Sequence, residues 1–296
     1  MGKRIVPSVE RALACNRGFS PGIGEGDMSA RGRKSPLQAK SLLHFGVFLI
    51  LALPVLAQTI PRMADGKPNF NGIWQSMNTA NWDLEDHSAQ VGPVVAAGAI
   101  GAEPAGLGII EGAGTIPYKS EALKKRNENF KNRAKEDPEI KCYLPGVPRA
   151  TYIPYPFQIT QTNGDILINY SYDTATRVVL MTKHRDAELD TWMGTNNGHW
   201  DGDTLVIDAT GFNGRAWLDR AGNFAGDSLH VVERYRMLDA NTIDYEATLE
   251  DPDTFTKPWK INFPLYRHRE KNARLLQFQC VEFVEEFMYG DLSKKR

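Results

Sequence analysis

Histidine and cysteine are scarce, with six and three in 296 residues. They form no H-x-H, H-E-x-x-H or C-x-x-C spacing, so no local metal or dithiol motif exists, and no metal or other cofactor is expected. A G-x-S-x-G nucleophile elbow, a P-loop and a G-x-G-x-x-G following a strand are also missing. The glycine-rich stretch Gly98–Gly114 lacks the Lys-Ser/Thr pair that phosphate binding requires. Nor is there an excess of one charge. With 35 Lys+Arg against 36 Asp+Glu the net charge is −1, which leaves no broad basic surface for nucleic acid. Long apolar runs are absent but for one, which excludes a bundle of membrane-spanning helices. What remains is ordinary globular composition, 42% hydrophobic and 24% charged.

The single apolar run is Ser41–Ala57, SLLHFGVFLILALPVLA. It follows the basic residues Arg31, Arg33, Lys34 and Lys40 and ends Val55-Leu56-Ala57, with small residues at −3 and −1 before Gln58. That layout is a secretory signal peptide over 28–57, and it predicts a periplasmic or secreted protein. An uncleaved anchor is the alternative. The run is short of the roughly 20 residues a spanning helix needs, and Pro54 breaks it. Residues 1–27 fit neither signal nor domain, which points to translation from Met28. Cleavage after Ala57 leaves 239 residues with 27 basic and 33 acidic side chains, a net of −6. Contact with a membrane is expected only through the export signal.

Cys15 leaves with the leader, so Cys142 and Cys280 remain. An even pair in an oxidising compartment predicts a disulfide, with two buried thiols as the alternative.

Residues 58–116 read as irregular, including a Gly/Ala-rich loop from Val91 to Gly114 that packs over the domain or acts as a lid. Pro117–Asp137 reads as a surface helix with a narrow stripe of Leu123, Phe130 and Ala134, ended by Pro138. From residue 138 to 296 the chain is β-rich. Short β-branched and aromatic runs begin at Phe157, Ile166, Arg177, Asp203, Leu229, Thr242, Trp259 and Leu275, punctuated by Asn-Gly, Asp-Gly and Asp-Pro. Ile243, Tyr245, Ala247 and Leu249 alternate with polar residues. Eight strands without intervening helices predict a mainly β fold, an antiparallel meander closing as a calycin-like barrel or a sandwich.

Chemistry concentrates between His184 and Glu233. Asp201-Gly202 reads as a type I′ hairpin turn. Trp217-Leu218-Asp219-Arg220 sits in a Gly-rich connection, where Trp217 could stack on a flat ligand and Asp219 could serve as a base or cap its own turn. Glu233 shares a strand face with Leu229, Val231 and Tyr235, where a carboxylate must be paired or carry a raised pKa. His230 points to the opposite face, so the two line one cavity only if a bulge intervenes. Asp219, His230, Glu233 and Arg185 are the catalytic candidates. Trp217, Trp192, Tyr155, Tyr170 and His199 are the ligand-binding candidates.

Trp192-Met193-Gly194, Gly198-His199-Trp200-Asp201-Gly202-Asp203-Thr204-Leu205-Val206 and Thr256-Lys257-Pro258-Trp259 form a distinctive series. With Cys142–Arg149 (C-x-x-P-G-x-P-R) and Pro154-Tyr155-Pro156, it resembles a family of uncharacterised exported bacterial proteins, from about Gly66 to Cys280. That resemblance implies membership and no reaction. Where the family usually has a His after Trp-x-Asp, this chain has Ala225, so no two-histidine site is expected in that loop. The expectation is a barrel that binds a small organic molecule, with acid/base chemistry of lyase, isomerase or hydrolase type as a further role. The other reading is a non-enzymatic envelope binding protein.

Overall fold

The computed structural model describes residues 59–112 and 114–290; the leader and its export signal lie outside the described residues. In chain order the strands are β1 (Gly72–Ser76), β2 (Asp86–His87), β3 (Gly106–Leu107), β4 (Phe157–Gln161), β5 (Ile166–Tyr170), β6 (Thr176–Leu180), β7 (Thr195–Asp201), β8 (Thr204–Thr210), β9 (His230–Asp239), β10 (Thr242–Glu250) and β11 (Trp259–Arg267). The helices are α1 (Ser120–Glu136), α2 (Arg149–Tyr152) and α3 (Val284–Tyr289), with a 3₁₀ segment at Val95–Gly101.

Among the described residues, nine strands close into a barrel in the order β1-β11-β10-β9-β8-β7-β6-β5-β4, while β2 and β3 pair separately. Alternation builds its interior, since one face of each strand must leave water. Val231, Glu233, Tyr235 and Met237 of β9 are buried, as are Ile243, Tyr245, Ala247 and Leu249 of β10 and Trp259, Ile261, Phe263 and Leu265 of β11. The barrel is therefore packed solid rather than hollow.

Three departures from the sequence reading matter for function. First, β1 arises in the segment read as irregular and closes the barrel between β11 and β4. Second, the sheet is mixed: β6 and β7 run parallel, through only Val179↔Asn196 and Leu180↔Asn197. Parallel neighbours need a crossover, and residues 181–194 supply it. Third, Leu275–Val284 is not a strand; it contributes one bridge, Tyr172↔Phe278, and then leads into α3.

The predicted helix is present as α1 and buries no residue fully. Leu123 is exposed; the docked face is Arg126, Asn129, Phe130 and Arg133, held by hydrogen bonds and ring contacts. The turn between β7 and β8 also differs from expectation. Asp201 pairs with Thr204, so Gly202 and Asp203 are the central residues, and only Gly202 (φ +59°) has positive φ. That is the type II′ arrangement, with Gly first.

The registers put the end of β1, β5, β8 and β10 beside the start of β4, β6, β7, β9 and β11. The longer connections, residues 77–156, 171–175, 211–229 and 251–258, consequently leave or return at one end of the barrel. Short hairpins close the other end. α2, buried at all four residues, lies against β1 at the loop-bearing end.

Candidate functional site

The four catalytic candidates do not converge. Glu233 lies inside the barrel, where Arg177 meets it through Nη2 and, at 3.2 Å, through Nη1. Both side chains are fully buried. Tyr235 and Tyr245 hydroxyls donate to Glu233 Oε1 at 3.0 and 2.8 Å. Arg177 donates in addition to Tyr170 (3.2 Å) and to Asn196 Oδ1 from Nε (3.2 Å) and Nη2 (2.7 Å). All five guanidinium N–H groups are thereby engaged. Burial opposes the Arg177 charge, but Glu233 overcomes it and holds the pKa above the ordinary arginine value. Burial likewise raises the Tyr170 hydroxyl and keeps Tyr235 and Tyr245 neutral well past the usual tyrosine range. Tyr170, expected to touch ligand, is a member of this saturated core network.

His230 sits on the opposite face of β9, paired with Asp208 at 3.0 Å and partly exposed. β9 carries no bulge between residues 230 and 233, so the strand alternation separates the two groups. Arg185 lies on the crossover between β6 and β7; its backbone is held by Asn197, and its guanidinium has no partner among the described residues. It lines an open groove of about 420 Å³ with Asp186 and Glu188 over the β6/β7 seam. His199 is on an exposed position of β7.

Asp219 is fully buried at the loop-bearing end and organises its own turn. It accepts N–H groups from Asn223 (3.1 Å) and Leu84 (3.0 Å), and the Asn223 amide at 2.6 Å. The same amide reaches Asp83 at 3.2 Å, so two carboxylates share one donor. Burial, and then the Asp83 charge, push the Asp219 carboxyl up to about 7 in spite of these donors. The turn closes through Leu218 N–H to Asn223 O and through the bridge Trp217↔Phe224. Asp219 thus fixes where Trp217 stands.

A second charged cluster lies beside it. Arg149, buried, takes Asp137 with both Nη groups (2.9 and 3.1 Å) and also reaches Glu139 and Asn81. Arg220 takes Glu139 from the other side, at 2.9 Å through Nε and Nη2, and meets Glu285 at 3.1 Å. Burial works against the Glu139 charge, yet Arg220 and Arg149 hold its pKa down to about 2. Sequence reasoning missed Arg149, Glu139 and Arg177; Arg149 closes the C-x-x-P-G-x-P-R motif, which was the available signal.

Two aromatic candidates do converge. The W-M-G block begins where Thr191 N–H donates to Gly211 O (2.9 Å) and Asn213 N–H to Thr191 O (3.0 Å), which sets Trp192 against the 213–217 loop. Tyr143 stacks on Trp192 with ring centroids 5.2 Å apart. Gly146 (φ +71°) makes this approach possible, because a Cβ there would lie 2.6 Å from the Ala216 Cβ. Tyr143, Trp192 and Trp217 line a groove of about 330 Å³ with Lys141 and Arg215. Lys141 is paired with Glu136 at 2.7 Å; the exposed Arg215 guanidinium has no partner among the described residues. Tyr155 belongs to a different cavity, its ring tilted against Phe278.

Cys142 and Cys280 form the expected disulfide, with Cα atoms 5.6 Å apart. Among the described residues no three His, Cys, Asp or Glu side chains gather as a metal cluster, and no helix is long and apolar enough to cross a membrane. No model of a known protein family matches the chain, and no curated protein is detectably similar to it.

Proposed function

We propose that this chain is an exported β-barrel protein that binds a small planar organic anion in the groove of Tyr143, Trp192 and Trp217. The observation that carries the reading is the convergence of these rings beside the unpartnered Arg215 guanidinium. Flat apolar faces with a cation at the edge suit an aromatic carboxylate, the ring stacking and the carboxylate meeting Arg215. Binding is favoured over acid/base turnover because Glu233 and Asp219 are buried in structural networks and His230 lies on another face. Export is part of the same proposal and rests on the leader together with the disulfide, which fits an oxidising compartment. Membership of the exported family with the W-M-G and T-K-P-W signatures is proposed on the same residues, Trp192 among them.

The test is a titration of the protein with benzoate and naphthoate, followed by tryptophan fluorescence. Saturable quenching is expected, lost in Trp192→Ala and weakened roughly tenfold in Arg215→Ala, with the melting temperature of Arg215→Ala unchanged. Absence of saturable quenching, or quenching indifferent to both substitutions, overturns the reading.

A further inference from the structure

After β11 the chain returns along the barrel to the loop-bearing end and covers a cavity of about 120 Å³. Its walls are Tyr155, Tyr172 and Phe278 with Ile140, Val281 and Val284, and Ala134 of α1. The rings present flat faces: Tyr155 and Phe278 lie 4.2 Å apart, and Tyr172 stacks on Phe278 at 5.7 Å and 20°. Arg220 and Glu139 also border it, but each binds the other, and Arg220 spends its remaining contact on Glu285. Arg220, the one cation on the border, is therefore already engaged by carboxylates, and Glu285 and Glu286 line the pocket as well, so an anion finds no free positive charge there. The pocket is partly open, since Val281 and Val284 in its outer wall are exposed, and its volume is near that which accepts a benzene ring.

The cover is tied down along its length, by Ser171 Oγ donating to Leu276 O, by Tyr155 and Tyr172 against Phe278, and by α3 against the 3₁₀ segment. The Cys142–Cys280 disulfide pins its middle, Phe278 N–H reaches Ser171 O (3.2 Å), Phe283 N–H reaches Ile140 O (2.8 Å), and Glu285 meets Arg220. Phe283 holds a left-handed backbone (φ +52°), which costs free energy for a bulky residue and is retained only where surroundings impose it. α3, which follows, buries no residue.

We propose that the cavity beneath residues 276–289 is a second ligand site, separate from the aromatic groove, which takes a neutral monocyclic aromatic molecule. Exclusion of anions follows from the engaged Arg220 and the carboxylates around it, affinity for an uncharged ring from the faces of Tyr155, Tyr172 and Phe278, and the single ring from the volume.

The experiment is ¹⁹F NMR of fluorobenzene with the intact protein. Saturable binding is expected, at least tenfold weaker in Ala134→Phe, which fills the space, and unchanged in Trp192→Ala. Should Ala134→Phe fail to fold, Val281→Trp on the cover serves as the filling variant. No binding at millimolar probe, or binding indifferent to the filling variants, overturns the site. Loss of binding in Trp192→Ala overturns the separation of the two sites.

Discussion

Arg177 and Glu233 face each other inside a closed barrel, 56 residues apart in sequence and both fully removed from solvent. Arg177 comes from β6 and Glu233 from β9, so the pair ties across the barrel interior from strands that are not neighbours in the sheet. Ions this deep are tolerated only when every remaining donor and acceptor is occupied. Asn196 and three tyrosine hydroxyls fill that role.

Glu233→Ala should accordingly cost about 3–5 kcal/mol, because it strands the Arg177 charge in the core. Joint replacement by Arg177→Met and Glu233→Leu should recover much of that loss, but not the bonds given up by Tyr235 and Tyr245. Urea unfolding of the parent and the two variants measures both steps. A Glu233→Ala protein as stable as the parent would show that the pair does not hold the barrel.

Asp219 gives the protein a pH dependence of unusual sign. Its folded pKa of about 7 lies above the ordinary 3.8, so between these values the folded state retains a proton that the unfolded state has lost. Its contribution is full below about pH 4 and disappears as pH rises through 7. Asp219→Asn should flatten the stability profile over that window, as read from melting temperatures between pH 4 and 8. A profile identical to the parent's would count against the buried, protonated carboxyl.

Glu139 works in the opposite direction. Held at about 2 against the ordinary 4.5, it stabilises the fold above pH 4.5, and that contribution is lost as pH falls toward 2. Glu139→Gln should lower stability at neutral pH, where Arg149 and Arg220 lose their shared partner, and reduce the further decline on acidification. Acid titration followed by far-UV circular dichroism separates the two effects.

Gly146→Ala places a Cβ against Ala216 on a backbone already at φ +71°. The loss should exceed about 1 kcal/mol, since the native conformation does not suit an L side chain. It should also part Trp192 from the 213–217 loop, which tryptophan emission would report as a red shift.

Removing the disulfide opens a loop spanning 138 residues. On the chain-entropy model this is worth roughly 4–5 kcal/mol, with less delivered if the unfolded chain stays compact. Calorimetry with and without reductant should show a lower melting temperature when reduced. An equal temperature would place the tail outside the cooperative unit.

Much of the fold could be read from local pattern. Alternation in β10 placed Ile243, Tyr245, Ala247 and Leu249 inward, and the same period placed Glu233 inward and His230 outward. β7 was not legible: Thr195–Asp201 offers Asn196 and Gly198 to the interior rather than branched apolar side chains. Gly198 is there because Met181 and Val179 press where a Cβ would stand, a contact no local pattern reveals. Leu275–Val284 failed in the reverse sense, having strand-like composition but no free sheet edge to join once β1 had closed the barrel.

The sequence alone determined the class of fold, the face on which each alternating residue lies, and the pairing of Cys142 with Cys280. Each follows from chemistry within a few residues or from a count of two. Tertiary structure decided which arginine neutralises Glu233, which carboxylate Asp219 confronts, and that Trp192 and Trp217 share a groove. These are partnerships across the barrel, set by strand order and register, and a period of two residues carries no information about them.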